Sequence, residues 1–169
     1  MEARPMKSLL IAAGLLALSL SAHAQETIVE YLSDDVVQTA FTENGSSDAQ
    51  KLSSDGDEPI WAGTIDGYTI YLSGVACDEM NQQCQGLRLI SIQNYPSNVT
   101  DKAAFLASTN EMFAAVKTAS FDDESWMINY YVILNGGVTQ QNINELTGIY
   151  VDLVETMFDR LSGDAEASE

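Results

Sequence analysis

Read for the spacing of its apolar positions, the chain divides into segments of helical and of strand period. Leu32, Val36, Val37, Ala40 and Phe41 recur three to four residues apart, the interval that places side chains on one helix face. Ser33 ahead of Asp34 and Asp35 supplies an N-cap and an acidic first turn, and Asn44-Gly45 a stop, so a helix is predicted over 34–43. The following Ser-, Asp- and Gly-rich stretch carries only "AQKLS" as a short edge strand. "IWAGTI", then Asp66-Gly67, then "YTIYLSGVAC" read as a hairpin, because Asp-Gly favours a two-residue turn. Tyr68, Ile70 and Leu72 alternate with Thr69, Tyr71 and Ser73, and "GLRLISIQN" repeats the strand pattern. These three strands form an antiparallel meander.

A second helix is predicted within "TDKAAFLASTNEMFAAVK", capped by Thr100 or Asp101, with Phe105, Met112, Phe113 and Val116 along one face. "ASFDDES" and "WMINYYVILNGG" form the next strand pair: Trp126, Ile128, Tyr130, Val132 and Leu134 share one face, Met127, Asn129 and Tyr131 the other. The "FDDES" carboxylates read as a solvated turn, and "DGDEP" as a turn rather than a calcium loop, since Pro59 occupies a ligand position. A last helix runs from Thr139 to Leu161. Its apolar residues, Ile143, Leu146, Ile149, Tyr150, Leu153, Val154, Met157, Phe158 and Leu161, spread over close to half the cylinder, wider than the ~100° stripe one sheet contact requires. The margins of that arc, Ile149 and Phe158, are therefore candidate partner-binding residues. The fold class is α+β: an antiparallel sheet of about five strands with three helices, in the order α-βββ-α-ββ-α, the first and last helices on one side.

The N-terminus changes where this domain is expected to work. Arg4 and Lys7 precede an apolar run from Leu9 to Leu20, followed by Ala22-His23-Ala24, the three-part pattern of a secretory signal peptide cut after Ala24. The run falls short of the roughly 20 residues that span a bilayer. The organisation is thus a signal peptide over 1–24, one domain over 25–161 and a disordered acidic tail over 162–169, and the location periplasmic or secreted. Cleavage removes Arg4, Lys7 and Glu2, leaving 5 basic and 24 acidic side chains. A surface so negative repels phosphate backbones and anionic lipids. Nucleic acid is excluded as a partner, as is membrane insertion of the mature chain.

Cleavage also removes His23, the single histidine of the chain. Ser-His-Asp and Cys-His catalysis, histidine-ligated metals and histidine acid-base chemistry then have no residue to use. Cys77 and Cys84, the two cysteines, flank polar "DEMNQQ" between two strands. A redox centre favours C-x-x-C, and zinc needs two further Cys or His ligands. At the mouth of a hairpin in an exported protein, a structural disulfide is predicted. No metal or cofactor is called for.

The segments "GTIDGYTIYLSGVACDEMNQQCQGLRLISI" and "LNGGVTQQNINELTGIYVDLVETMFDRL" carry a resemblance to the YbjN family, over about 34–161. Asn110 is similar to the first asparagine of that family's Asn-x-Trp-Asn pattern, but Glu111-Met112-Phe113 lacks the Trp-Asn that follows. The resemblance implies a fold like that of type III secretion chaperones and a family described as sensory transduction regulators; it brings no catalytic residues. The functional expectation is a non-enzymatic, exported binding or chaperone-like module that engages a protein partner, or a second copy of itself, through apolar surface. A structural envelope component and a carboxylate-based hydrolase, which works without histidine, are the alternatives.

Overall fold

The computed structural model describes residues 27–53, 57–80 and 83–162. The expected signal peptide, the acidic tail beyond Ser162 and part of "DGDEP" lie outside the described residues. In chain order the elements are β1 (Ile28–Val29), α1 (Asp34–Glu43), β2 (Gln50–Lys51), β3 (Ile60–Ile65), β4 (Tyr68–Cys77), β5 (Cys84–Asn94), α2 (Lys102–Met112), β6 (Lys117–Ser120), β7 (Ser125–Ile133), β8 (Val138–Thr139) and α3 (Gln140–Ser162). A main antiparallel sheet has the order β2-β3-β4-β5-β7-β6, and β1 pairs with β8 in a separate two-stranded ribbon. The α+β class holds, with more strands than the periodicity indicates.

Local chemistry sets the boundaries of the first helix and hairpin. Ser33 Oγ accepts from the Val36 amide at the start of α1, and Gly45 follows its end with φ of 83°. Asp66 and Gly67, at φ of 50° and 84°, make the two-residue turn joining β3 to β4. Cys77 and Cys84 are paired in register and joined by a disulfide, closing the mouth of the β4–β5 hairpin as predicted. The Leu32 amide donates to the Cys84 carbonyl and fastens the entry to α1 onto the same point.

The register decides which side chains share a face. Trp61 lies opposite Leu72, Leu72 opposite Leu89, and Leu89 opposite Tyr130. This inner face also carries Ile70, Leu87, Ile128 and Trp126, all buried. All three helices cover it. Phe41 of α1 packs over Gly63, where an added β-carbon would approach the ring to 2.8 Å. Phe105 of α2 meets Trp126 edge-on at 5.2 Å. From α3, Ile143, Tyr150, Val151, Val154 and Met157 are buried, and the Tyr150 hydroxyl donates to the Ile128 carbonyl at 2.7 Å. Asn44 ties the end of α1 to α3 by donating to the Asn144 carbonyl.

One expectation is corrected and one feature is new. The second helix ends at Met112 rather than continuing toward Lys117, so Phe113 and Val116 are buried from the connection to β6, and Met112 is exposed. Burying those two side chains while starting an edge strand at Lys117 leaves no length for another helical turn. The ribbon of β1 and β8 was not anticipated, because two-residue strands carry no period and form only through a pairing that spans the whole domain.

Candidate functional site

Ile149 and Phe158 are both open to solvent, at 54% and 41% exposure. Nine residues at about 100° each amount to a half-turn remainder, so the two lie on opposite flanks of α3 and do not form one patch. Phe158 already has a neighbour: its ring meets Tyr68 edge-on at 6.3 Å. Burial, then the Glu155 and Asp159 carboxylates, raise the Tyr68 hydroxyl above its ordinary pKa, which marks this flank as aromatic with an acidic rim. Ile149 borders a cavity of about 70 Å³ with Ala115, Tyr130, Leu146, Tyr150 and Leu153. That volume accepts a single side chain at most. Arg160 lies over the Phe113 ring at 5.6 Å and ties this flank to the segment that follows α2.

The larger apolar surface is the sheet face turned away from the helices. Pairing aligns Tyr131, Arg88, Ser73 and Ile60 in one cross-strand row, and Asn129, Ile90, Tyr71 and Ala62 in the next. Ile92 and Met127 lie opposite one another beyond them, and Ile133 lies across from Gly86 on the other side. Ile133 and Tyr131 are 62% and 50% exposed, and most of the remainder are half-buried by one another rather than by a covering element. Gly86 gives Tyr131 its place: an added β-carbon would come within 2.7 Å of the phenol oxygen, so the ring leans across the glycine. No residue of strands β3 to β7 is acidic, in a chain of formal charge −18. The strand positions on this face instead include Arg88 and Lys117.

Side chains cap one point at each side of the sheet, on β3 beyond the pairing with β2 and on β6. At β3 the Asp48 carboxylate accepts from the Thr64 amide at 2.8 Å and from its hydroxyl at 2.9 Å. These hydrogen bonds and one from Ser46, led by the Thr64 amide, hold Asp48 below the usual carboxylate pKa. At β6 the Asn110 amide donates to the Thr118 carbonyl at 3.1 Å and accepts from the Thr118 amide at 2.8 Å. Asn110 therefore occupies the place of a neighbouring strand, a role that its position in the sequence did not disclose. With the edges capped at these positions, strand addition is obstructed and the broad face is the open surface.

The acidic loop between β6 and β7 is a turn, as expected. Asp122 accepts from the Glu124 and Ser125 amides, and a hydrogen bond from the Ser125 side chain, followed by the one from the Glu124 amide, lowers its pKa. Among the described residues no group of three His, Cys, Asp or Glu side chains is arranged to hold a metal ion, and no helix is long and apolar enough to cross a membrane.

Residues 33–162, from the cap of α1 to the end of α3, match the model of the YbjN family, described as "Putative bacterial sensory transduction regulator". The chain belongs to this family. Two solved structures are similar. One is the Yersinia pestis type III secretion chaperone SycH in complex with a stable fragment of YscM2, at 14% identity, covering 73% of this chain and 94% of that one, with a TM-score of 0.46. The other is YbjN from E. coli, described as a putative transcription regulator, at 16% identity, covering 82% of this chain and 94% of that one, with a TM-score of 0.45. No curated protein sequence matches the chain. The bonds of Asn110 to Thr118 give it a physical role at the sheet edge.

Proposed function

We propose that this member of the YbjN family is an exported, non-enzymatic binding module that engages a protein partner through the open face of its sheet. One observation carries the reading. The helices all pack on a single side, and the face they leave uncovered is apolar and free of acidic strand residues in a strongly acidic chain. Exposed apolar patches of a few hundred Å² mark contact surfaces more often than they occur by chance. The regulator description of the family suits such a role. Export is supported by the signal-like N-terminus and by the disulfide, a bond that persists in oxidising compartments.

The test is site-specific photo-crosslinking in the periplasm. A crosslinking side chain at position 133, on the open face, is expected to give a discrete protein adduct, and one at exposed Gln141 on α3 is expected to give none. No adduct at 133, or the same adducts at both positions, refutes the reading.

A further inference from the structure

Arg88 stands apart from the other basic residues of the domain. Lys51 meets Asp34 at 3.3 Å, Lys102 donates to the Asp123 carbonyl and lies over Tyr95, and Arg160 lies over Phe113. Lys117 is exposed at the sheet edge. Arg88 is half-buried in the centre of the open face, between Ser73 and Tyr131, and its Nε has no hydrogen-bond partner among the described residues. The Ser73 hydroxyl beside it, 1% exposed, is likewise without one. A guanidinium and a hydroxyl held on an apolar surface with bonding capacity unused are costly unless something supplies an acceptor.

Resting on the reading of the open face as a partner surface, we infer that Arg88 anchors an Asp or Glu side chain carried by an apolar polypeptide segment laid across Ile90, Ile92, Met127, Tyr131 and Ile133. Charge selects this occupant. The guanidinium is a fork that takes a carboxylate through two parallel hydrogen bonds. A second copy docked by the same face gathers two Arg88 and two Lys117 side chains into one interface with no acidic strand residue to pair them. A polyanion is repelled by the chain's charge of −18. A single carboxylate among apolar side chains escapes most of that repulsion, because exposed charges more than about 8 Å away are screened at physiological ionic strength.

The experiment pans the full mature chain against displayed random peptides of about 15 residues, long enough for four helical turns. The enriched peptides are then measured against the unchanged protein, Arg88→Glu and Ile133→Asp. Enrichment of apolar sequences with one Asp or Glu, bound at least tenfold more weakly by both variants, is the expected result. Panning Arg88→Glu itself is expected to exchange the acidic residue for Lys or Arg. If Arg88→Glu does not fold by circular dichroism, Arg88→Gln reads the same loss without reversing charge. Enriched peptides that lack an acidic residue and bind Arg88→Glu unchanged, yet fail on Ile133→Asp, overturn the anchor while leaving the open face as a partner surface. No enrichment above a blank surface overturns both. A stable dimer in sedimentation that Arg88→Glu converts to monomer overturns the proposal in favour of a second copy.

Discussion

Asn110 shows how much one side chain can decide at a strand edge. Its amide satisfies both the amide and the carbonyl of Thr118, groups that otherwise present an open ladder. Asn110→Ala leaves both without their partner, and Thr118 is nearly buried. The expected cost is about 1–3 kcal/mol, the penalty of stranding polar groups, with faster hydrogen exchange at the Thr118 amide. Unchanged stability and exchange would show that the bonds are dispensable. A second residue-scale effect has the opposite sign. Ala76, beside Cys77, has φ of 53°, a left-handed conformation that strains every residue with a β-carbon. Ala76→Gly relieves about 1–2 kcal/mol of strain against about 0.5–1 kcal/mol of added chain entropy. Thermal denaturation should therefore give a melting temperature equal to or slightly above that of the parent; a clear fall contradicts the strained geometry. Neither effect is visible in the sequence, since both depend on where a distant segment or a backbone angle places an ordinary residue.

At the scale of elements, legibility followed how local the determining interactions are. Helix α1 was bounded correctly because Ser33 and Asn44-Gly45 act within a turn of the residues they cap. The β4–β5 hairpin was legible for a related reason, its alternation and cysteines lying close in sequence. Helix α2 was overextended because Phe113 and Val116 repeat at helical spacing although they are buried from a loop, and the strand read from "ASFDDES" in fact begins two residues earlier, at Lys117, and ends at Ser120. In α3 the wide apolar arc was real and its margins, Ile149 and Phe158, are exposed, but only the packing shows Phe158 beside Tyr68 and Ile149 beside the small cavity. The open face was half legible: Met127, Asn129 and Tyr131 were placed opposite Trp126, yet no local signal says that all three helices choose the same side. Two substitutions separate the roles along α3. Val154→Asp puts an unpaired charge in the core and is expected to unfold the domain, whereas Phe158→Ser loses an edge-on aromatic contact worth about 1 kcal/mol. Comparable losses from the two, measured by urea denaturation, would mean that Phe158 is core.

Across the whole molecule, stability is set by a tension between local carboxylate bonds and collective charge. Asp48 and Asp122 both have lowered pKa values in the fold, through bonds led by the Thr64 amide and by Ser125 respectively. A carboxyl lowered on folding contributes stability that is complete above its unfolded pKa and is lost as pH falls through the folded value. Those contributions therefore favour neutral over strongly acidic solution. The net charge of −18 acts in the other direction, because its self-repulsion opposes the compact state at neutral pH and fades as the solution approaches the isoelectric point of about 4.1. Ordinary carboxylates stay ionised from about pH 8 down to about 5, so the melting temperature should change little over that range. Below the ordinary carboxylate range it should fall as Asp48 and Asp122 protonate. Salt provides the independent check. At neutral pH, added sodium chloride screens the repulsion and should raise the melting temperature, and near the isoelectric point it should have little effect. A melting temperature indifferent to salt at neutral pH would mean that the acidic residues are already compensated within the fold, and that Arg88 faces no field from which its apolar surroundings must shelter a bound carboxylate.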